Sequence, residues 1–157
     1  MVSRRHFLDN RVPPLVVALV VAFLMRAASL AGPRFRLGWS GSAFVAAALA
    51  AIGIAVAWAG VVTFRRHQTT VNPFQPANAS TLVESGIYRR TRNPMYLGVT
   101  LVLLGYAAFL AHPFALLLLG LFPTYIRTFQ IAPEERALDR LFGETYARYK
   151  ERVPRWL

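Results

Sequence analysis

Residues 40–64 read SGSAFVAAALAAIGIAVAWAGVVTF, a run without a single charged side chain. About 20 apolar residues in a helix are enough to cross the hydrocarbon core of a bilayer. An uncharged run of this length therefore predicts a transmembrane helix. Since 55% of the whole chain is hydrophobic, it is too apolar for an ordinary soluble domain of its size, which indicates an integral membrane protein.

Three further apolar blocks accompany this helix, at about 14–31, 95–111 and 114–131. Arg26 interrupts the first block, and His112-Pro113 separates the last two, which should form a tight helical hairpin. Pro123 predicts a kink in the fourth block, because proline has no backbone N–H. We therefore expect an all-α integral membrane fold in one domain, residues 1–157, with about four transmembrane helices.

An amphipathic helix is predicted after the last block, at about 133–153. It opens on Pro133, with Glu134 and Glu135 near the positive end of the helix dipole. Apolar residues then recur every three or four positions opposite a row of arginines, which is the pattern of a helix lying along the membrane interface. Gly143 is expected to break this helix into two pieces.

The arginines predict the orientation. If both termini and a loop at 65–94 face the cytoplasm, 15 of the 18 Lys and Arg residues lie inside, as the positive-inside rule requires. Because these residues flank apolar spans, the formal charge of +11 indicates attraction to lipid head groups, and we expect no nucleic-acid partner. The chain has no cysteine, so no thiolate metal site is available, and we expect no metal.

Alanines recur every four residues along the second block and form a smooth ridge that another helix backbone can approach closely. We expect the ridge to pack within the chain; the alternative is a homodimer seam. The ridge consists of Ala43, Ala47, Ala51, Ala55 and Ala59.

The stretch GIYRRTRNPMYLG, residues 86–98, places arginines and tyrosines at the start of the third block. The predicted topology brings it to the same membrane face as Glu134 and Glu135. Guanidinium groups suit an anionic ligand group, carboxylates suit a cationic one, and Tyr88 and Tyr96 offer faces for stacking or cation binding. The pattern therefore predicts a pocket for a zwitterion that carries a positive centre and a flat ring.

At these residues the chain resembles the integral-membrane methyltransferases typified by isoprenylcysteine carboxyl methyltransferase, with the phospholipid N-methyltransferases as cousins. The likeness covers about residue 82 to the C-terminus, roughly half of the chain. It rests on two groups of residues: first Gly86, Tyr88, Arg92, Asn93, Pro94, Tyr96 and Gly98, then Glu134, Glu135, Leu138, Phe142, Gly143, Tyr146 and Tyr149.

The resemblance implies S-adenosylmethionine as cofactor and a lipophilic acceptor, a small molecule or a membrane lipid, entering from the bilayer. It implies catalytic roles for Arg92, Asn93 and Glu134. Arg92 would pair with the carboxylate of the methyl donor, and Glu134 or Glu135 with its ammonium group. The implied cofactor-binding residues are Gly86, Tyr88, Arg92, Asn93, Pro94, Tyr96, Leu97, Gly98, Glu134 and Glu135.

One position departs from the family pattern, because Asn93 stands where histidine is usual. Asparagine exchanges hydrogen bonds but does not titrate near neutral pH. Asn93 therefore substitutes for a histidine that anchors the cofactor, but not for one that handles a proton. Two other functions remain open: an NADPH-dependent reductase resembling the C-terminal part of sterol reductases, and a non-catalytic four-helix membrane protein.

Overall fold

The computed structural model describes residue 7 and residues 9–31, 42–66 and 82–157. Every regular element within these ranges is helical, and the predicted all-α membrane fold is confirmed. The elements, in chain order, are α1 (Pro14–Ala31), α2 (Ser42–Arg66), a 3₁₀ turn (Gly86–Arg89), α3 (Pro94–Leu110), α4 (Pro113–Leu119), α5 (Leu121–Ile126), a π-helical turn (Arg127–Ile131) and α6 (Ala132–Arg152). Most of the predicted loop, residues 67–81, lies outside the described residues.

Three helical runs in the described part are long and apolar enough to cross a membrane: Pro14–Ala31, Ala43–Arg66 and Pro113–Arg152. The last run is apolar only as far as Ile131, where the polar sequence of α6 begins. Helix α3 is a shorter apolar helix, and it joins α4 through a turn at Ala111-His112. The chain is thus an integral membrane protein, and its described residues form four apolar helical segments.

The fourth segment is less regular than a single kink at Pro123 would make it. It breaks at Gly120, between α4 and α5, because Pro123 has no N–H for the carbonyl one turn before it. It then widens into the π-helical turn. Pro133 follows shortly after this turn and, like Pro123, has no backbone N–H to donate. Pairs of broken hydrogen bonds of this kind let helices change direction.

Small residues bring α2 and α3 together as an antiparallel pair. A Cβ atom added to Gly53 would lie 2.5 Å from the carbonyl oxygen of Gly98, and one added to Gly105 would lie 2.7 Å from that of Ala46. The backbones therefore touch where both helices lack a bulky side chain, which is how helices associate tightly in lipid. This contact sets the position of the N-terminus of α3, where residues 86–98, which we call the arginine motif, enter the helix.

The alanine ridge is not part of this contact, so the expectation that it packs within the chain is wrong. Four of its members are exposed and the fifth is partly buried, and α3 lies instead against the neighbouring face that carries Gly53 and Gly60. The glycines allow a closer approach than alanines do, which explains the choice of face. The homodimer seam stays a prediction for Ala43, Ala47, Ala51, Ala55 and Ala59.

Helix α6 breaks at Gly143, as predicted. Gly143 has φ of 47° and ψ of −122°, a conformation that side chains strongly disfavour. Beyond it, Tyr146, Tyr149 and Val153 form a small cluster with Leu82 and their neighbours in α6. This cluster packs the end of α6 against the segment that leads into the arginine motif.

Candidate functional site

A tight turn delivers the arginine motif to α3. Gly86 has φ of 58°, and a Cβ atom there would lie 2.9 Å from the hydroxyl oxygen of Thr63, so only glycine fits without strain. Tyr88, in the following 3₁₀ turn, is buried edge-on against Phe64 with ring centroids 5.0 Å apart. The Tyr149 hydroxyl donates to the Tyr88 carbonyl oxygen at 2.7 Å. The turn is therefore held by both α2 and α6.

Arg92 meets Glu135 in a shielded ion pair. Arg92 Nη1 lies 3.0 Å from Glu135 Oε1, and the two side chains are only 12% and 15% exposed. Arg155 binds the same carboxylate, donating from Nε to Oε1 at 3.1 Å and from Nη2 to Oε2. These bonds raise the pKa of Arg155 above its ordinary value. Two guanidinium groups thus share one carboxylate, which leaves one positive charge without a partner.

Glu134 has a different environment from its neighbour. The Tyr96 hydroxyl donates to Glu134 Oε1 at 2.6 Å, and within the described part of the chain no Lys or Arg forms an ion pair with Glu134. Burial raises the pKa of Glu134 to about 8, so the ligand-free carboxyl group is largely protonated near neutral pH, and a bound cation would stabilise its ionised form. The site therefore combines an excess guanidinium with an uncompensated carboxyl group one residue along the helix.

The Asn93 side chain forms a hydrogen bond within the fold. Its Nδ2 donates to the Arg155 carbonyl oxygen at 2.9 Å. The buried Thr91 hydroxyl donates to the same oxygen at 3.3 Å, and the Arg92 backbone N–H donates to the Pro154 carbonyl oxygen at 3.1 Å. Residues 91–93 are thus bound to the segment after α6 by three hydrogen bonds. Asn93 thus serves the fold as an amide N–H donor, a role that needs no change in its protonation.

Two polar atoms of the site are buried and have no hydrogen-bond partner among the described residues: the Tyr88 hydroxyl oxygen and Arg92 Nε. Burial, with Tyr149 and Glu134 nearby, raises the pKa of Tyr88 well above its ordinary value, so this hydroxyl keeps its proton. Buried polar groups are almost always hydrogen-bonded, and each exception calls for an explanation, such as a functional role or a bound water or ion. Both atoms fit a ligand that carries a carboxylate and further hydrogen-bonding groups.

The predicted site residues separate into two groups. Those brought together on the α6 side are Tyr88, Arg92, Asn93, Tyr96, Glu134 and Glu135. Those that face α2 are Gly86, Pro94, Leu97 and Gly98. Pro94 and Gly98 fill helix contacts with Gly60 and Gly53, and Leu97 lines an apolar cavity of about 360 Å³ that also includes Ile52. In the structure the second group packs helices.

Sequence reasoning missed Arg155 and Tyr146. Arg155 follows the end of α6, and in the sequence it looks like one more basic residue of the tail. Tyr146 belongs to the family pattern but had no assigned role; its hydroxyl accepts a hydrogen bond from Arg92 Nη1 at 3.4 Å. The signal for Arg155 was weak: Pro154 ends the helix and turns the chain, but nothing local indicates the direction.

Comparison with known proteins places the chain in a family. The sequence profile of the phospholipid methyltransferase family matches residues 42–145, which include both the arginine motif and the Glu134-Glu135 pair. An uncharacterized protein of Haemophilus influenzae is 44% identical over 63 residues, which are 40% of this chain and all of that protein. No solved structure matches the chain at a significant level.

A named relative agrees with the profile. The protein-S-isoprenylcysteine O-methyltransferase of Xenopus laevis is 34% identical over 80 residues, 51% of this chain but only 28% of the frog protein. The resemblance to membrane methyltransferases inferred from the motifs is confirmed. Because the family profile covers well over half of its residues, the chain belongs to the phospholipid methyltransferase family.

Proposed function

We propose that the protein transfers a methyl group from S-adenosylmethionine to a lipophilic or amphipathic acceptor at the cytoplasmic face of the membrane. One observation carries the proposal: Arg92 and Arg155 share the single carboxylate of Glu135, beside Glu134, which forms no ion pair with any Lys or Arg of the described residues. The methyl donor carries a carboxylate and an ammonium group on one carbon. The charges of the site match this pair.

The fit of the donor depends on a few named groups. Arg92, with its free Nε, would take the donor's carboxylate, and Glu134 would take its ammonium. The Tyr88 hydroxyl would bind a further polar group of the donor. The Tyr96 ring lies beside Glu134, because its hydroxyl donates a hydrogen bond to that carboxyl group. When bound, S-adenosylmethionine supplies an electrophilic methyl group on a sulfonium centre.

Glu135 is the weaker candidate for the ammonium group, because both of its oxygens already accept from arginine. Its role is to hold the two guanidinium groups in one place. This favours Glu134 among the two alternatives that the sequence left open, and it restricts Glu135 to positioning.

The acceptor reacts at a site where Asn93 offers no proton acceptor of histidine type. It therefore arrives as a nucleophile that needs no base at this position, or it loses its proton elsewhere. Alignment of the nucleophile with the methyl group and exclusion of water supply most of the acceleration in such a transfer. With the apolar helical segments in the bilayer, a lipophilic acceptor would reach the site without crossing water.

Calorimetric titration of the detergent-purified protein tests the proposal. We expect binding of S-adenosylmethionine and S-adenosylhomocysteine and no binding of NADPH. Decarboxylated S-adenosylmethionine distinguishes the roles: Arg92→Gln should weaken the intact donor and leave the affinity for the decarboxylated one unchanged. Binding of NADPH alone would favour the reductase, and silence with every ligand would favour a non-catalytic membrane protein.

A further inference from the structure

Residues 9–13, which we call the N-terminal strap, lie against the junction between the fourth apolar segment and α6. The Asn10 N–H donates to the Phe129 carbonyl oxygen at 2.9 Å. Gln130 Nε2 donates to the Val12 carbonyl oxygen at 2.8 Å, and Arg136 Nη2 pairs with Asp9 Oδ2 at 2.8 Å. The contacts thus fall on both sides of Glu134 in the sequence.

The first two contacts hold the π-helical turn. Gln130 is fully buried next to Ile131, a member of the apolar core cluster, and the hydrogen bond from its Nε2 to Val12 offsets part of the cost of burying the amide there. A π-turn holds an extra residue relative to an α-turn, so it changes the face that the following residues present. The strap therefore fixes the turn that sets the direction of Glu134.

The third contact holds the first turns of α6 from the other side. The Asp9 and Arg136 side chains are 13% and 31% exposed, so their attraction is only partly screened by water. Arg136 lies two residues after Glu134, and Glu134 itself is held by Tyr96 of α3. Helix α6 is therefore fixed between the strap and α3 where the carboxyl group projects.

We infer that the strap is a positioning element of the donor site, and that Gln130, Asp9 and Arg136 are positioning residues for Glu134. The inference rests on the proposed function, because it assigns Glu134 to the donor. They act on Glu134 through the backbone of the junction. Loosening the strap lets the carboxyl group move, and donor binding then includes the cost of restoring its position.

The test removes the Asp9–Arg136 pair and measures donor affinity by calorimetry. Asp9→Asn and Arg136→Gln should each raise the dissociation constant of S-adenosylmethionine about three- to tenfold. The double variant should be no worse than either single variant, because both changes remove the same contact. In turnover assays the KM for S-adenosylmethionine should rise by a similar factor, while kcat changes little. Asp9→Glu and Arg136→Lys should retain most of the affinity.

Asp139→Asn is the matched control, since it breaks an ion pair with Lys150 on the same helix, away from the junction. It should leave donor affinity unchanged. Gln130→Leu tests the strap independently and should weaken donor binding in the same way. Unchanged affinity in both single variants, or additive losses in the double variant, would overturn the inference. Failure of the unmodified protein to bind the donor would overturn the proposed function itself, and the inference with it.

Discussion

Glu134 and Glu135 are neighbours in the chain, yet their carboxylates belong to different networks. Glu135 binds Arg92 and Arg155, whereas Glu134 accepts a hydrogen bond from Tyr96. Adjacent residues on a helix point about 100° apart, so one reaches the tail segment and the other reaches α3. The pair therefore combines a structural acid with an acid left free for a ligand.

Exchanging each glutamate for glutamine should separate these roles. Glu135→Gln leaves two arginines without their carboxylate and should lower the free energy of unfolding by about 2 kcal/mol or more, allowing for partial exposure. Glu134→Gln keeps an acceptor for Tyr96, so stability should change by less than about 1 kcal/mol. Its donor affinity should fall about tenfold or more, because the charge for the ammonium is lost. Thermal unfolding in detergent and calorimetry measure the two effects; the reverse pattern would contradict the assignment.

Asn93→His should leave the pH profile of methyl transfer unchanged. A histidine N–H can replace the Asn93 donor to the Arg155 carbonyl oxygen, and the proposed site gives it no proton to carry. Asn93→Ala should weaken donor binding about tenfold, because Arg155 loses one of its anchors. Rates measured between pH 6 and 9 check the prediction; a new titration near the pKa of histidine would show that this position can handle protons.

Tyr88→Phe should have opposite effects on the free and the loaded protein. The Tyr88 hydroxyl is buried without a partner, so its removal should stabilise the ligand-free protein or leave it unchanged, within about 1 kcal/mol. Donor affinity should fall, because the ligand loses a hydrogen bond. Tyr149→Phe is the control, because it removes an existing hydrogen bond to the Tyr88 carbonyl oxygen and should therefore destabilise the free protein. Thermal shifts with and without donor distinguish these outcomes.

Gly53→Ala should destabilise the pair of α2 and α3. The added methyl group would lie 2.5 Å from the Gly98 carbonyl oxygen and 2.9 Å from the Val102 nitrogen, so the helices must separate. Overpacking of this kind costs about 1–3 kcal/mol. Gly120→Ala is the matched control, because its methyl group would meet only the Leu117 carbonyl oxygen, at 3.4 Å. Equal thermal stability of the two variants in detergent would contradict the close contact.

The sequence predicted the apolar helices well, because lipid selects long uncharged runs irrespective of their tertiary partners. It also predicted that the arginine motif meets the glutamate pair, since short connections keep neighbouring helices adjacent. The prediction that the alanine ridge packs within the chain was wrong. Periodicity identifies a smooth helix face, but it does not show which of two smooth faces meets a partner helix. The glycines at positions 53 and 98 decided that choice.

Contacts between distant segments could not be predicted. Asn93 bonds to a backbone carbonyl of Arg155, and a main-chain acceptor leaves no trace in residue type. The Asp9–Arg136 pair joins segments 127 residues apart, and many arginines in the sequence compete for each acid. Such contacts follow from the packed fold, whereas the motifs show only which groups have the right chemistry.

The bond between Asn93 and Arg155 spans 62 residues, which has a consequence for biosynthesis. Membrane helices enter the bilayer as they emerge, but residues 91–93 form their three hydrogen bonds only after Pro154 and Arg155 have left the ribosome. Chains grow at about 5–20 residues per second, so the earlier helices wait for several seconds with the arginine motif unlocked. A nascent chain that stalls before residue 154 would be inserted in the membrane yet unable to assemble the site.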